Sequence, residues 1–244
     1  MNKTAIGVIP ARYGSTRFPG KPLVEIQGKS MIQRVYEQAK QVGTLTKVIV
    51  ATDDQRIFDA VLAFGGEVVM TSEEHQSGTD RCKEAIDNCD GTFDIVVNIQ
   101  GDEPFIDPEQ INQVIRAFSD ENTEIATLVK LIENTEELFN PNKPKVLIDE
   151  NDFAIYFSRA VLPYQRGVDQ KDWIEKFNYY KHIGLYAYRC EVLNEITKIS
   201  PSRLELAEGL EQLRWIENGY KIKIAITETE SISIDSPEDL NQIL

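Results

Sequence analysis

Apolar residues in this chain fall into two alternating patterns: short unbroken runs, and stripes that recur every three or four positions. Ala5-Ile-Gly-Val-Ile9 and much of Asp94-Ile-Val-Val-Asn-Ile-Gln100 are runs of the kind expected where a parallel strand is covered on both faces. The patterns predict strands at about 4–10, 47–51, 67–70 and 94–99, and helices at about 30–41, 54–63 and 79–88. Such alternation predicts an α/β chain with a mainly parallel sheet and helices on both of its faces. Asp107-Pro108-Glu109-Gln110 joins an N-cap, a proline at the first helical position and a capping-box glutamine, so a helix is expected to reach about Phe118. Ser236-Pro237-Glu238-Asp239 repeats much of that logic for a last short helix.

Between about 140 and 190 the pattern changes to short aromatic and β-branched pieces, Phe153-Ala-Ile-Tyr-Phe157 and Ile183-Gly-Leu-Tyr-Ala-Tyr188. They flank a segment at 165–173 that reads as mobile. This stretch is expected to form a small antiparallel excursion from the main sheet, able to cover a substrate and to pair with a second subunit. A chain of 244 residues suits a single domain, 1–244, that carries this excursion.

Composition narrows the partners. With 41% hydrophobic and 27% charged residues the chain reads as an ordinary globular protein, and its net charge of -14 argues against binding nucleic acid or anionic lipid. No apolar run approaches the roughly twenty residues of a membrane span, and the N-terminus lacks a signal-peptide pattern, so a cytoplasmic location is expected. Cys82, Cys89 and Cys190 have no metal-ligand spacing and read as reduced thiols.

Against that acidic background the loop Pro10-Ala-Arg-Tyr-Gly-Ser-Thr-Arg-Phe-Pro-Gly-Lys21 gathers Arg12, Arg17 and Lys21 around Gly14 and Gly20. Open α/β sheets bind ligands beyond the carboxyl ends of their strands, where this loop is expected to lie. Glycines let the backbone approach phosphate oxygens while the cations neutralise them, so the loop suits a nucleoside triphosphate; a solvated loop with incidental charges is the alternative. A Walker A loop is excluded, because five residues separate Gly14 from Gly20 and Lys21 is followed by Pro22. The closely spaced glycines of a dinucleotide-binding turn are also missing.

Other groups add to this picture. Asp102, just past the strand ending near Gln100, can ligate magnesium, which takes few protein carboxylates and keeps phosphate oxygens; a turn-shaping role before Pro104 is the alternative. Asp235 can approach the same metal from another strand end. His75-Gln-Ser-Gly-Thr-Asp-Arg81 either reads a base edge or an anion with its backbone and Arg81, or is a plain capping loop. Strand alternation puts His182 and Tyr186 on one face, where they can hydrogen-bond a polyhydroxylated substrate; a structural histidine is the alternative.

The combined spelling resembles the cytidylyltransferases that activate 3-deoxy-manno-octulosonate (Kdo). The matching pieces are residues 10–22, Val50-Ala-Thr-Asp53, His75 to Arg81, Asn98-Ile-Gln-Gly-Asp-Glu-Pro104, His182-Ile-Gly-Leu-Tyr186, Leu210-Glu-Gln-Leu-Arg214 and Asp235-Ser-Pro-Glu-Asp239. They span nearly the whole chain in family order, and the first alone is shared with related sugar-acid enzymes. The resemblance implies a three-layer α/β/α nucleotide-diphosphosugar transferase-like fold with a mixed, mainly parallel sheet, and a homodimer. It implies a magnesium-dependent reaction of CTP with Kdo to give CMP-Kdo and pyrophosphate, for lipopolysaccharide or capsule synthesis. By motif match, Arg12, Ser15, Lys21, Ser77, Arg81 and Gln100 are expected to contact CTP, and Asp102 and Asp235 to bind Mg2+. His182, Tyr186 and Gln212 are expected to hold the sugar acid, with Arg159 or Arg166 as partner for its carboxylate. Lys21 and Arg12 join the two aspartates as the expected catalytic groups. The rival readings are a synthetase for sialic acid or another nonulosonate, and a nucleotide-sensing subunit that has kept the fold.

Overall fold

The computed structural model describes residues 3–14, 18–230 and 232–242. In chain order its first half comprises β1 (Ala5–Ala11), the hairpin of β2 (Glu25–Ile26) and β3 (Lys29–Ser30), α1 (Met31–Lys40), β4 (Leu45–Thr52), α2 (Gln55–Ala63), β5 (Val68–Met70), α3 (Gly78–Asp87), β6 (Ile95–Asn98) and α4 (Pro108–Arg116). The second half comprises β7 (Ile125–Leu131), α5 (Thr135–Phe139), β8 (Lys145–Ile148), β9 (Ala154–Ser158), α6 (Trp173–Lys176), β10 (Tyr180–Arg189), α7 (Cys190–Ile196), α8 (Arg203–Glu208), α9 (Gln212–Glu217) and β11 (Ile222–Ile226).

The main sheet runs β11-β7-β10-β6-β1-β4-β5. β1 pairs in parallel with β4 and β6, β4 with β5, and β11 with β7, whereas β10 is antiparallel to both β6 and β7. Two apolar layers cover it. On one face Ile32, Val35 and Ala39 of α1, Ile57 and Val61 of α2 and Ile111 and Val114 of α4 pack against Ile9, Val50 and Val97. On the other, Cys82 and Ala85 of α3, Leu193 and Ile196 of α7 and Leu213 and Trp215 of α9 pack against Ile6, Val8 and Val96. Successive strand residues feed opposite layers, which is why these strands read as unbroken apolar runs. The result is a three-layer α/β/α fold.

The helices begin where small polar residues accept the free amides of the first turn. Ser30, Asp54, Ser77 and Asp107 cap α1, α2, α3 and α4 through their side-chain oxygens. The expected last helix is a 3-10 turn, Pro237–Gln242. Its entry is held by Asp239, whose carboxylate accepts the Asp235 and Ser236 amides at 2.9 and 2.8 Å and the Ser236 hydroxyl at 3.1 Å. Those bonds, the Ser236 amide first, hold the Asp239 carboxyl below its ordinary range.

Two features of the 140–190 stretch differ from expectation. β8 and β9 do pair antiparallel outside the main path, but β10 belongs to both regions: Tyr180 and Lys181 pair with β8, while Tyr186 to Arg189 insert between β6 and β7 at the centre of the sheet. The 165–173 segment, expected to be mobile, is fastened. Trp173 is buried with Ile132, Leu138 and Tyr179, its Nε1 donates to Val168 O at 3.1 Å, and Gln165 Nε2 donates to Trp173 O and Tyr179 Oη at 2.8 and 3.0 Å. Polar composition had hidden one buried indole that organises the whole segment.

Trp215 joins the second layer to the centre of β10, its ring edge-on to Tyr186 and Tyr188 at 5.2 and 5.6 Å. Trp215→Ala is expected to cost about 3–5 kcal/mol. Urea denaturation should show this as a lower midpoint with an unchanged slope.

Candidate active site

β1 and β6 run side by side in register, Val8 opposite Asn98, so their carboxyl ends open at one place. The chain leaving β1 carries Arg12 and, after a turn, Lys21; the chain leaving β6 carries Gln100, Gly101 and Asp102. Gly20 enters the Lys21 turn at φ 72°, with the Tyr13 ring where a side chain would stand. Gly101 lies so close to the Pro10 carbonyl that an added Cβ would be 2.8 Å from its oxygen. Any side chain there would part the two strand ends.

Between them lies a cavity of about 260 Å³ lined by Arg12, Lys21, Ser77, Arg81, Gln100, Asp102 and Asp235. Seven residues expected from scattered stretches of sequence thus converge on one space. Ser15, expected to touch the nucleotide, lies outside the described residues, as does Arg17. Arg12 is exposed at the rim, where a second cavity lined by Tyr13, Asp53 and Arg56 adjoins the first.

Lys21 is the electrostatic centre of the cavity. Its Nζ donates to Asp102 Oδ2 at 2.8 Å and to Ile234 O at 2.9 Å, and stands 3.8 Å from Asp235 Oδ1. The Ile234 amide in turn donates to Asp102 O at 2.9 Å, so the Asp235 segment is stitched to the end of β6. Two carboxylates therefore converge on a single cationic point, with hard oxygen donors and open space beside them. Among the described residues no group of three or more His, Cys, Asp or Glu side chains forms a metal cage. A pair of carboxylates suits magnesium, which completes its octahedron with phosphate and water oxygens.

Arg81 has a narrower role than its charge implied. It is buried, Nη2 donating to Asp53 Oδ2 at 2.5 Å and Nη1 to Thr71 Oγ1 at 2.6 Å. Its guanidinium thus ties α3 to the ends of β4 and β5 while lining the cavity wall. Asp53, part of the Val50-Ala-Thr-Asp53 stretch, was not singled out from the sequence; its placement directly after a parallel strand was the available signal. Ser77 caps α3, accepting the Asp80 amide at 3.1 Å.

His182, Tyr186 and Gln212 do not line that cavity. They form an adjoining cluster, connected to it by Gln100 Nε2, which donates to Gly184 O at 2.9 Å, and by Thr79 Oγ1, which donates to Glu211 Oε2 at 3.0 Å. The His182 ring lies 5.2 Å from the rings of both Phe157 and Tyr186. Its Nε2 is 3.0 Å from Thr127 Oγ1, whose own hydrogen has the Leu185 carbonyl at 2.8 Å. The hydroxyl donates once, so His182 carries its proton on Nε2 and leaves Nδ1 as an acceptor. Burial pushes His182 down to about 3, so the ring is neutral at physiological pH. Tyr186 Oη and Gln212 Nε2 are buried and have no hydrogen-bond partner among the described residues. Tyr188 Oη, Asn98 Oδ1 and Gln113 Oε1 share that condition, and a buried polar atom in that state calls for a water, an ion or a ligand.

Glu211, also passed over in the sequence, sits between these two regions. Burial raises its carboxyl above the ordinary value, against the hydrogen bonds of Ser77 and Thr79. Its sequence signal was its place in the Leu210-Glu-Gln-Leu-Arg214 stretch, as a lone acid between Leu210 and Leu213. Arg159 and Arg166 do not line the nucleotide cavity. Arg159 donates to the carbonyls of Glu208, Pro141 and Gly209 at 2.6, 3.0 and 3.3 Å, closing the carboxyl end of α8. Arg166 is exposed on the turn before Gly167.

The low value of His182 has a defined sign. The unfolded imidazole protonates near 6.5 and the folded one near 3, so unfolded molecules bind more protons between those values. Stability from this group is complete above pH 6.5 and is lost as pH falls toward 3. Imidazole NMR should show the His182 resonance unmoved between pH 8 and about 5, and titration near its ordinary value would contradict the enclosure of its ring by Phe157, Tyr186 and Thr127.

Comparisons with known proteins agree with this geometry. A family model described as Cytidylyltransferase matches residues 6–224. A Parabacteroides distasonis protein named 3-deoxy-manno-octulosonate cytidylyltransferase is 60% identical, covering 98% of this chain and 96% of its own. A Cytophaga hutchinsonii protein of the same name is 55% identical, covering 99% and 97%. A solved structure of CMP:2-keto-3-deoxy-manno-octonic acid synthetase complexed with CTP superposes with a TM-score of 0.91 at 42% identity, over 98% of this chain and 96% of that one. The 4-diphosphocytidyl-2C-methyl-D-erythritol synthase of Anaerococcus prevotii shares the fold, with a TM-score of 0.64 at 14% identity.

Proposed function

The chain belongs to the cytidylyltransferase family, among the 3-deoxy-manno-octulosonate cytidylyltransferases, and from that premise we propose that it transfers CMP from CTP to the anomeric 2-hydroxyl of Kdo. The hydroxyl oxygen forms a bond to the α-phosphorus, the bond from that phosphorus to the β-phosphate bridging oxygen breaks, and pyrophosphate leaves. The hydroxyl proton goes to solvent or to a phosphate oxygen. The observation that carries the reading is the convergence of Lys21, Asp102 and Asp235 in a cavity walled by Ser77, Arg81 and Gln100, beside the buried pair Tyr186 and Gln212.

In this reading Arg12 and Lys21 neutralise the triphosphate, and the amino end of α3, capped by Ser77, faces the nucleotide. Arg81 keeps that helix in place through Asp53 and adds its field to the wall. Gln100 spans from the nucleotide cavity to Gly184, and the acceptor Nδ1 of His182, the Tyr186 hydroxyl and the Gln212 amide receive the hydroxyls of the sugar acid. Asp102 and Asp235 would hold Mg2+, which when bound would neutralise phosphate charge and lower the cost of deprotonating the attacking hydroxyl. Such a step depends on positioning and charge neutralisation more than on a dedicated base. Arg159 and Arg166 remain the candidates for the sugar carboxylate.

The same reading takes the protein to be a cytoplasmic homodimer that supplies CMP-Kdo for lipopolysaccharide or capsule, with β8 and β9 covering substrate or meeting the second subunit. Among the described residues no helix is long and apolar enough to cross a membrane.

Pyrophosphate release from CTP and magnesium, with Kdo or N-acetylneuraminate added in parallel, tests the substrate directly. Release with Kdo alone is expected; release with N-acetylneuraminate alone would discard the Kdo assignment, and silence with both would point to a sensing subunit. Asp102→Ala is expected to lower turnover by about 10²-fold or more and to abolish normal magnesium dependence. Full turnover with unchanged magnesium dependence would remove Asp102 from the metal site.

A further inference from the structure

Two lysines and two glutamates form a closed ring outside the cavity. Lys181 Nζ bonds the Glu137 carboxylate and reaches Glu230 Oε2 at 2.5 Å, while Lys143 Nζ also bonds Glu137 and lies 3.5 Å from Glu230 Oε1. The charges alternate and cancel. The Lys181 side chain is only 3% exposed and Glu137 16%, whereas Lys143 and Glu230 are each 35% exposed, so the ring has a buried side at Lys181 and a solvent-facing side. Burial opposes charge at Glu137 and at Lys143, yet the ion pairs prevail: the acid is held low and the amine high.

The four residues come from four separate places: Glu137 from α5, Lys143 from the turn before β8, Lys181 from β10 and Glu230 from the chain that follows β11. Two of them adjoin the site. Lys181 immediately precedes His182, and alternation along the strand turns the two side chains to opposite faces. Glu230 stands five positions before Asp235 in one segment; on one side of Ser231, which lies outside the described residues, Gln110 Nε2 donates to Thr229 O at 3.0 Å, and on the other the Ile234 amide donates to Asp102 O at 2.9 Å. Only the ring joins that segment to the strand of His182 by ion pairs among the described residues.

We propose that the Glu137, Lys143, Lys181 and Glu230 ring is a positioning device that sets the Asp235 segment against the His182 strand. It keeps the metal carboxylate and the sugar-holding residues in one frame, and it rests on the roles given above to Asp235 and His182. Removing the Glu230 charge leaves two ammonium groups facing one carboxylate, one of them buried, and the strain falls on the segment that carries Asp235. Supports behind metal ligands commonly alter metal affinity by about 10- to 100-fold.

Glu230→Gln, with Lys143→Met as a milder variant at the periphery and Lys181→Arg as the charge-conserving one, tests this. Three readouts apply: hydrogen exchange of the Ile234 amide without nucleotide or metal, calorimetric Mn2+ binding to the protein with CTP, and steady-state kinetics with Kdo. Glu230→Gln is expected to speed Ile234 exchange and weaken Mn2+ binding by about tenfold, raising KM for Kdo more than it lowers kcat at saturating metal. Lys143→Met should move the same quantities less, and Lys181→Arg should stay near wild type. Loss of thermal stability with Ile234 exchange and Mn2+ affinity unchanged would reduce the ring to a structural tie and overturn the proposal. Wild-type protein that released no pyrophosphate with Kdo would sink the functional reading instead, while exchange and Mn2+ binding would still decide the ring.

Discussion

Parallel pairing of β1 with β6 is the constraint on which the site rests. It sets Val8 beside Asn98 and brings the loop of Arg12 and Lys21 against the turn of Gln100 and Asp102. Gly101 permits that contact, since any side chain would push into the Pro10 carbonyl. Once the two strand ends are locked together, Lys21 meets Asp102 at 2.8 Å, and the Ile234 amide finds the Asp102 carbonyl. A carboxylate distant in sequence thereby arrives beside the phosphate loop.

The enclosed cations of the cavity, Lys21 and Arg81, are each met by carboxylates, in a chain that as a whole carries -14. Lys21 is matched by Asp102 and Asp235, and Arg81 by Asp53. Matched cations are already desolvated and oriented before a polyanion arrives, so little reorganisation remains to be done on binding. Arg12 is the exposed cation of this set, at the rim where a triphosphate would enter. The neighbouring cluster uses another device. His182 is kept neutral by desolvation, and Tyr186 Oη and Gln212 Nε2 are buried without a hydrogen-bond partner among the described residues.

The antiparallel strand β10 connects these two halves. One end pairs with β8 and supplies Lys181 to the ion-pair ring; the middle supplies His182 and Tyr186; the far end lies between β6 and β7. Trp215 and the tyrosines of this strand pack edge to face, so the cluster around His182 and Tyr186 is continuous with the core and inherits its rigidity.

Local pattern alone determined most strands and helices of the first half, because apolar runs and capped amphipathic stripes express backbone preferences within a few residues. The segments β1, α1, β4, α2, β5, α3, β6 and α4 and the Asp107 cap were legible in this way, as were the cationic glycine loop and the carboxylates past the strand ends, whereas the short β2–β3 hairpin was not. Tertiary structure decided which charges met. Nothing within the spacing of Arg81 and Asp53, of Arg159 and the carbonyls of Glu208 and Gly209, or of Lys181 and Glu230 announces a partner, since each pair is joined across elements far apart in the chain. The place of β10 at the centre of the sheet and the fastening of the 165–173 segment by Trp173 have the same origin. A residue's type sets what it can bind, but its partner is whatever the packed layers leave within reach.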